Sequence, residues 1–207
     1  MKKSFIIGIL SLLIVISLIF SMSSCSGKAP EIDGLSERFV YLIEESKELN
    51  VIFFGIGLPV YRRNSDLANR QMIYYNDSVS GYNRVVLENS KYLNVEDMKE
   101  AAEKIFSNEY LSELYESAFD GIMISDTNAY VRFYDNTEWL YQNINAGEFS
   151  LFERIYDYST MEIVKPSNSK YVTVLIESYT LNDPTRRTVN LSFVYENGNW
   201  FLDSPTY

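Results

Sequence analysis

An α+β domain, with N-terminal helices packed on a curved antiparallel sheet that ends in a meander, is the fold the sequence predicts. Two observations carry it. Apolar residues recur at helical spacing over residues 35–49 and again over 95–119, and beyond Gly121 they alternate at strand spacing. Turn sequences then cut the C-terminal part into long runs, so helices come first and strands last, and the helices must cover the apolar face of the sheet.

The chain opens on a segment that stands outside this fold. Lys2 and Lys3 precede an uncharged apolar run from Phe5 to Phe20, the charged and apolar regions of a bacterial export signal. Met22-Ser23-Ser24-Cys25 follows, and it resembles the lipobox of bacterial lipoproteins, in which small residues flank the scissile bond and the cysteine carries the lipid. Residues 1–24 are therefore read as a lipoprotein signal peptide, with Cys25 as the lipidated residue of the mature chain. Each buried CH2 of an acyl chain contributes about 0.8 kcal/mol, so two or three chains hold a protein firmly at the membrane. The competing reading is an uncleaved helix, since Ser4 to Met22 nearly spans the roughly 30 Å of hydrocarbon. Residues 25–34 form a polar tether, and 35–207 a single domain.

Within that domain, Leu35, Phe39, Leu42, Ile43 and Leu49 predict an amphipathic helix that runs on through Val51-Ile52-Phe53-Phe54, with Gly55, Gly57 and Pro59 ending it. Residues 72–88 read as strand, turn at Ser80-Gly81, strand. Asn94 is an N-cap for a helix over 95–106, and Ser107 caps another that Gly121 ends. Strands GIMIS and AYVRFYD lead to a polar loop through Asn145-Ala146-Gly147. Strands near 151–164, 170–181, 187–196 and 199–203 complete the meander, and Asn197-Gly198 signals a type I′ hairpin.

Charge and absences narrow the chemistry. Without residues 1–24 the chain carries 16 basic and 28 acidic residues, a net charge of −12. Nucleic acid is disfavoured as a partner, and a basic protein surface or cationic ligand is favoured, although acidity also serves solubility. There is no histidine, which excludes Ser-His-Asp and Cys-His catalysis and histidine zinc sites. Cys25 is the only cysteine, so no disulfide within the chain is available.

No cofactor is expected. Gly55-Ile56-Gly57 lacks the strand and lysine of a phosphate loop, and Asp126-Thr127-Asn128 lacks the glycine and closing glutamate of a calcium loop. The many tyrosines suit a binding surface, but tyrosine is also a good strand residue. Arg62-Arg63 and Arg186-Arg187 are expected to pair with surface acids.

The order of parts, with NVEDMKEAAEKIFSNEYLSELYE and the closing FVYENGNWFLDSPTY, resembles the bacterial DL-endopeptidase inhibitor family (IseA-like) and kindred lipoproteins over residues 35–207. Its marks are Tyr82, Asp97, Phe106, Ser107 and the hairpin around Asn197-Gly198 with Trp200, an ending that NTF2-like folds share, and the chain is also similar in appearance to NTF2-like and cystatin-like exported domains. The resemblance implies a non-enzymatic exported protein that covers the active-site cleft of a cell-wall endopeptidase. Three functions follow as expectations: a lipid-anchored extracytoplasmic protein binder, a small-ligand module with an aromatic pocket, or a histidine-free proton-transfer enzyme. For the first, residues 135–149 are the expected binding edge, with Trp139 and Tyr141 as anchors and Asp135, Glu138 and Glu148 as an acidic rim.

Overall fold

The computed structural model of the chain describes residues 27–61, 82–120, 122–125, 128–143 and 153–207. The export signal, Cys25, the start of the 72–88 hairpin, Arg62-Arg63 and Glu148 lie outside the described residues.

A short 3-10 turn at Ile32–Gly34 leads into α1 (Ser36–Phe53), at the place where helical periodicity begins. Its inner face carries Phe39, Leu42, Ile43, Leu49, Ile52 and Phe53, all at most 4% exposed. Removing one such side chain from water contributes about 2–3 kcal/mol. The glycines end the helix as expected: the Gly55 and Gly57 amides both donate to the Val51 carbonyl, at 3.1 and 3.0 Å. The Gln142 side chain seals the turn beyond, accepting from Leu58 N at 2.7 Å and donating to Ile56 O at 3.0 Å.

The next two helices start where their caps dictate. α2 (Val95–Glu103) opens on Asn94, whose side chain accepts from Asp97 N at 2.8 Å, while Asp97 reaches back to Leu93 N at 2.7 Å. α3 (Asn108–Tyr115) opens on Ser107, which accepts from Tyr110 N at 3.1 Å and donates to Asp203. A single π-helical turn, Glu116–Asp120, continues α3.

Nine strands form three antiparallel groups among the described residues. β1 (Tyr82–Arg84), β5 (Leu140–Asn143) and β4 (Phe133–Asp135) make one sheet, and β2 (Ile122–Ser125) with β3 (Asn128–Tyr130) a two-stranded ribbon. β6 (Arg154–Val164), β7 (Tyr171–Thr180), β8 (Asp183–Glu196) and β9 (Asn199–Leu202) are the closing meander, in sequence order. The fold class is thus α+β, with the strands divided between sheets. Two boundaries differ from expectation. β5 occupies part of what reads as a loop in the sequence, and the turn between β7 and β8 falls at Leu181-Asn182, leaving Asp183-Pro184 inside β8. Asn197 and Gly198 both adopt positive φ, 49° and 87°, as a type I′ hairpin requires.

The helices meet the meander through its apolar face. Val172, Val174 and Ile176 of β7 and Leu191 and Phe193 of β8 are at most 2% exposed. Phe39 of α1 stacks on Phe193 with ring centroids 3.9 Å apart, and Trp200 of β9 meets Phe39 edge-on at 5.7 Å. Backbone bonds tie the α2–α3 junction to β9: Leu202 N donates to Ile105 O at 2.8 Å, and Ser107 N to Leu202 O at 2.9 Å.

Candidate functional site

The expected binding edge is only partly a surface. Tyr141 is 4% exposed, because its place on β5 turns it inward to stack on Tyr134 at 4.7 Å. Trp139 is half-buried at the β4–β5 turn, with the Arg84 guanidinium carbon 3.4 Å from its ring centroid and its indole N–H donating to Glu138 at 3.2 Å. Asp135 and Glu138 are exposed, but Asp135 already serves α2, accepting from Val95 N at 2.7 Å. Trp139, Asp135 and Glu138 therefore stay together at one hairpin, and Tyr141 joins the interior.

A second surface begins where Asp135 caps α2. Along that helix Glu96, Glu100 and Glu103 are all exposed, at the i, i+4 and i+7 positions of one face. Residues 95–120 contain eight acidic residues against Lys99 and Lys104, net −6 of the whole chain's −10. The face runs from the Trp139 hairpin to a groove of about 390 Å3 between α2, α3 and the β8–β9 hairpin. Phe106, Leu111, Tyr115 and Phe201 supply its apolar lining, and Glu103 and Glu196 its charge.

Both carboxylates are oriented. Glu196 Oε2 accepts from Asn108 Nδ2 at 2.7 Å and Asn108 N at 3.2 Å, and Glu103 Oε1 accepts from the Tyr115 hydroxyl at 3.3 Å. Each has a second oxygen that meets no donor among the described residues. Burial, and then the neighbouring Glu103 charge, push the Tyr115 phenol upward, so it stays a protonated donor. Cations already use these rings: the Lys99 ammonium lies 5.2 Å from the Tyr115 centroid and 5.3 Å from that of Phe119.

Other charged groups hold the fold. Arg132, 5% exposed, donates to Ile52 O at 2.9 Å and Gly55 O at 2.5 Å, capping the C-terminal end of α1. Burial brings its guanidinium down to about 10, still charged at neutral pH. Arg186 pairs with Asp157 at 2.7 Å and Glu177 at 3.1 Å, and Arg187 with Asp183 at 2.8 Å, as expected for surface arginines. Among the described residues no group of three metal-ligating side chains is placed to hold an ion, and no helix is long and apolar enough to cross a membrane.

Taken from composition, the net charge belongs to the whole chain, whereas the fold concentrates it on α2 and α3. The signal was present in NVEDMKEAAEKIFSNEYLSELYE, where the acids recur at helical spacing opposite Val95, Met98 and Ala102. Comparison with known proteins finds no family model that matches the chain and no curated protein similar to it in sequence.

Proposed function

We propose that this chain is a lipid-anchored extracytoplasmic binding protein, without catalytic activity, that captures a basic protein surface on the acidic face of α2 and α3. The groove that ends that face carries the reading. A lysine or arginine stem can lie along Phe106, Tyr115 and Phe201 while its head meets Glu103 and Glu196. The remaining acids of the helix pair steer a basic partner toward it and raise the encounter rate. The Trp139 hairpin borders the same face and extends the contact.

A cell-wall DL-endopeptidase is the partner class that the sequence resemblance supports, with the acidic face laid over the cleft of the enzyme. The lipobox supports the location, since a lipid on Cys25 would hold the domain at the outer surface of the membrane, facing the wall. Peptidoglycan cleavage by a DL-endopeptidase of the same cell, measured with and without the purified chain, tests this reading. Stoichiometric inhibition that weakens on Glu103→Lys with Glu196→Lys is the expected result. Undiminished cleavage at large excess removes the hydrolase as partner, and failure of the wild-type chain to take up labelled palmitate, with Cys25→Ser as the unlabelled control, removes the lipid anchor.

A further inference from the structure

The segment that joins Cys25 to α1 lies on the fold from its first described residue. Gly27 O accepts from Ser169 N at 3.1 Å, in the turn between β6 and β7. The approach leaves no room for a side chain, since a Cβ on Gly27 would sit 2.8 Å from Ser169 Oγ. Ala29 and Pro30 are half-buried, and Ile32 and Leu35 pack against the core. Gly27 follows Cys25 by two residues, and two residues of chain reach at most about 7 Å. If Cys25 carries the lipid, the β6–β7 end of the meander is thereby held at the membrane surface.

That end is basic in an acidic molecule. Lys165 and Lys170 frame Pro166-Ser167-Asn168-Ser169, and Lys28 follows Gly27, with no acid in residues 27–30 or 165–171. All three lysines are exposed, and none meets a carboxylate among the described residues. Glu31, Asp33 and Glu162, the acids nearest to them in sequence, stand outside the turn. Side-chain bonds fix the turn: Asn168 Oδ1 accepts from Lys170 N at 2.8 Å and Tyr171 N at 3.0 Å, and Ser167 Oγ from Thr173 N at 2.9 Å. Tyr195, 41% exposed, adjoins the turn, its amide donating to Lys170 O at 2.8 Å. Such a ring, apolar along its body and wet at its tip, suits the headgroup layer of a bilayer.

We propose that this end of the domain rests on anionic phospholipid headgroups, with Lys28, Lys165 and Lys170 as its contacts. The inference rests on the lipid anchor of the preceding reading and adds an orientation to it. A domain of net charge −12, held within a Debye length of about 8 Å from anionic headgroups, is repelled in any pose that presents its carboxylates. The lysine end is the one attracted, and each lysine at an anionic surface favours the contact about fivefold. A basic patch beside an acyl anchor makes attachment firm.

Amine labelling tests the contact. The full chain, purified from membranes in detergent, is returned to vesicles of phosphatidylcholine alone or with about one third phosphatidylglycerol, and its intact mass reads the anchor separately. Acetylation of Lys28, Lys165 and Lys170 should be about fivefold slower on the anionic vesicles and should return to the neutral rate in about 0.5 M salt. Lys91, which pairs with Glu48 toward the other end of α1, should label equally on both. Lys165→Glu with Lys170→Glu changes two exposed side chains, leaves the bonds of the turn in place, and should remove the protection of Lys28. Equal labelling of Lys165 and Lys170 on the two vesicles, with the lipidated mass present, would overturn the contact and leave the anchor standing. A mass that keeps residues 1–24 and carries no acyl group would overturn the anchor, and the proposal with it.

Discussion

Gly57 and Gly198 both sit at positive φ, 78° and 87°, but their surroundings differ. A Cβ on Gly198 meets nothing within 4 Å, whereas one on Gly57 would lie 2.2 Å from Gln142 Oε1. At Gly198 only the left-handed backbone resists alanine, so Gly198→Ala should cost about 1 kcal/mol. Gly57→Ala adds displacement of a buried amide that satisfies Leu58 N and Ile56 O, and should cost about 2–4 kcal/mol. Urea denaturation of the two variants, with Gly34→Ala as a control in open space, checks the ordering. Ser107, 1% exposed, is the other single position with several duties, as N-cap of α3 and donor to Asp203. Ser107→Ala should cost about 1–2 kcal/mol by the same denaturation measurement, with Asp203→Asn partly relieving the loss because the carboxylate no longer lacks its donor.

At the scale of elements, α2 and its neighbours decide how binding should respond to mutation. Reversing Glu103 and Glu196 inverts the charge beside the groove without touching the buried Met98 and Ala102 of α2. The double variant loses the bonds that Asn108 and Tyr115 give these carboxylates, so it should cost about 1 kcal/mol of stability while slowing association with a basic partner about tenfold, an effect that shrinks in high salt. Stopped-flow association at two ionic strengths would read it. Trp139→Ala removes the ring stacked on Arg84, and should lower stability by about 1–2 kcal/mol alongside any loss of binding. The same elements mark how far the sequence was legible. α1, the two caps and the meander could be read because periodicity and cap chemistry are local; the start of α3 and the bounds of β9 lie close to expectation, whereas α3 gives way to the π-helical turn after Tyr115. β5 could not. Three of its four residues, Tyr141, Gln142 and Asn143, pair with β1 far back in the chain, and Gln142 is buried for a turn near Gly57 that no local pattern announces. Tyr141 looked like a surface anchor for the same reason, since only the pairing of β5 determines which way it points.

For the whole molecule the most informative variable is pH, because a chain without histidine has no side chain whose ordinary value falls between about pH 5 and 8. On the acid side, hydrogen bonds from Ser159 and then Arg186 hold Asp157 below its ordinary value, and those from Thr185, with Arg187, do the same for Asp183. Burial pushes Glu44 the other way but is outweighed by Lys47 and Tyr158, and it too lies low. The folded state binds fewer protons at these groups, so their contribution is present above the unfolded values of 3.8 and 4.5 and is lost as pH falls through the lower folded values. All three pairings are solvent-screened, and the acid effect should be small. The alkaline side is different. Burial raises Tyr110, Tyr115, Tyr156 and Tyr158 well above the ordinary 10.0. Above that pH the unfolded chain loses phenolic protons that the folded chain keeps, so stability present below 10 declines as pH rises toward the folded values. The urea midpoint should accordingly stay level between about pH 6 and 8 and drop steeply above about 10, with phenolate absorbance appearing together with unfolding. Tyr156, 7% exposed and donating to Thr206 O at 3.0 Å, ties the meander to the C-terminal residues. Tyr156→Phe should lower stability at neutral pH by about 1 kcal/mol and make the alkaline decline shallower, since one ionisable phenol is gone. A decline unchanged in that variant would assign the alkaline loss to the tyrosines of α3 and β6 other than Tyr156, whereas phenols ionising near 10 without unfolding would show that burial does not hold them protonated.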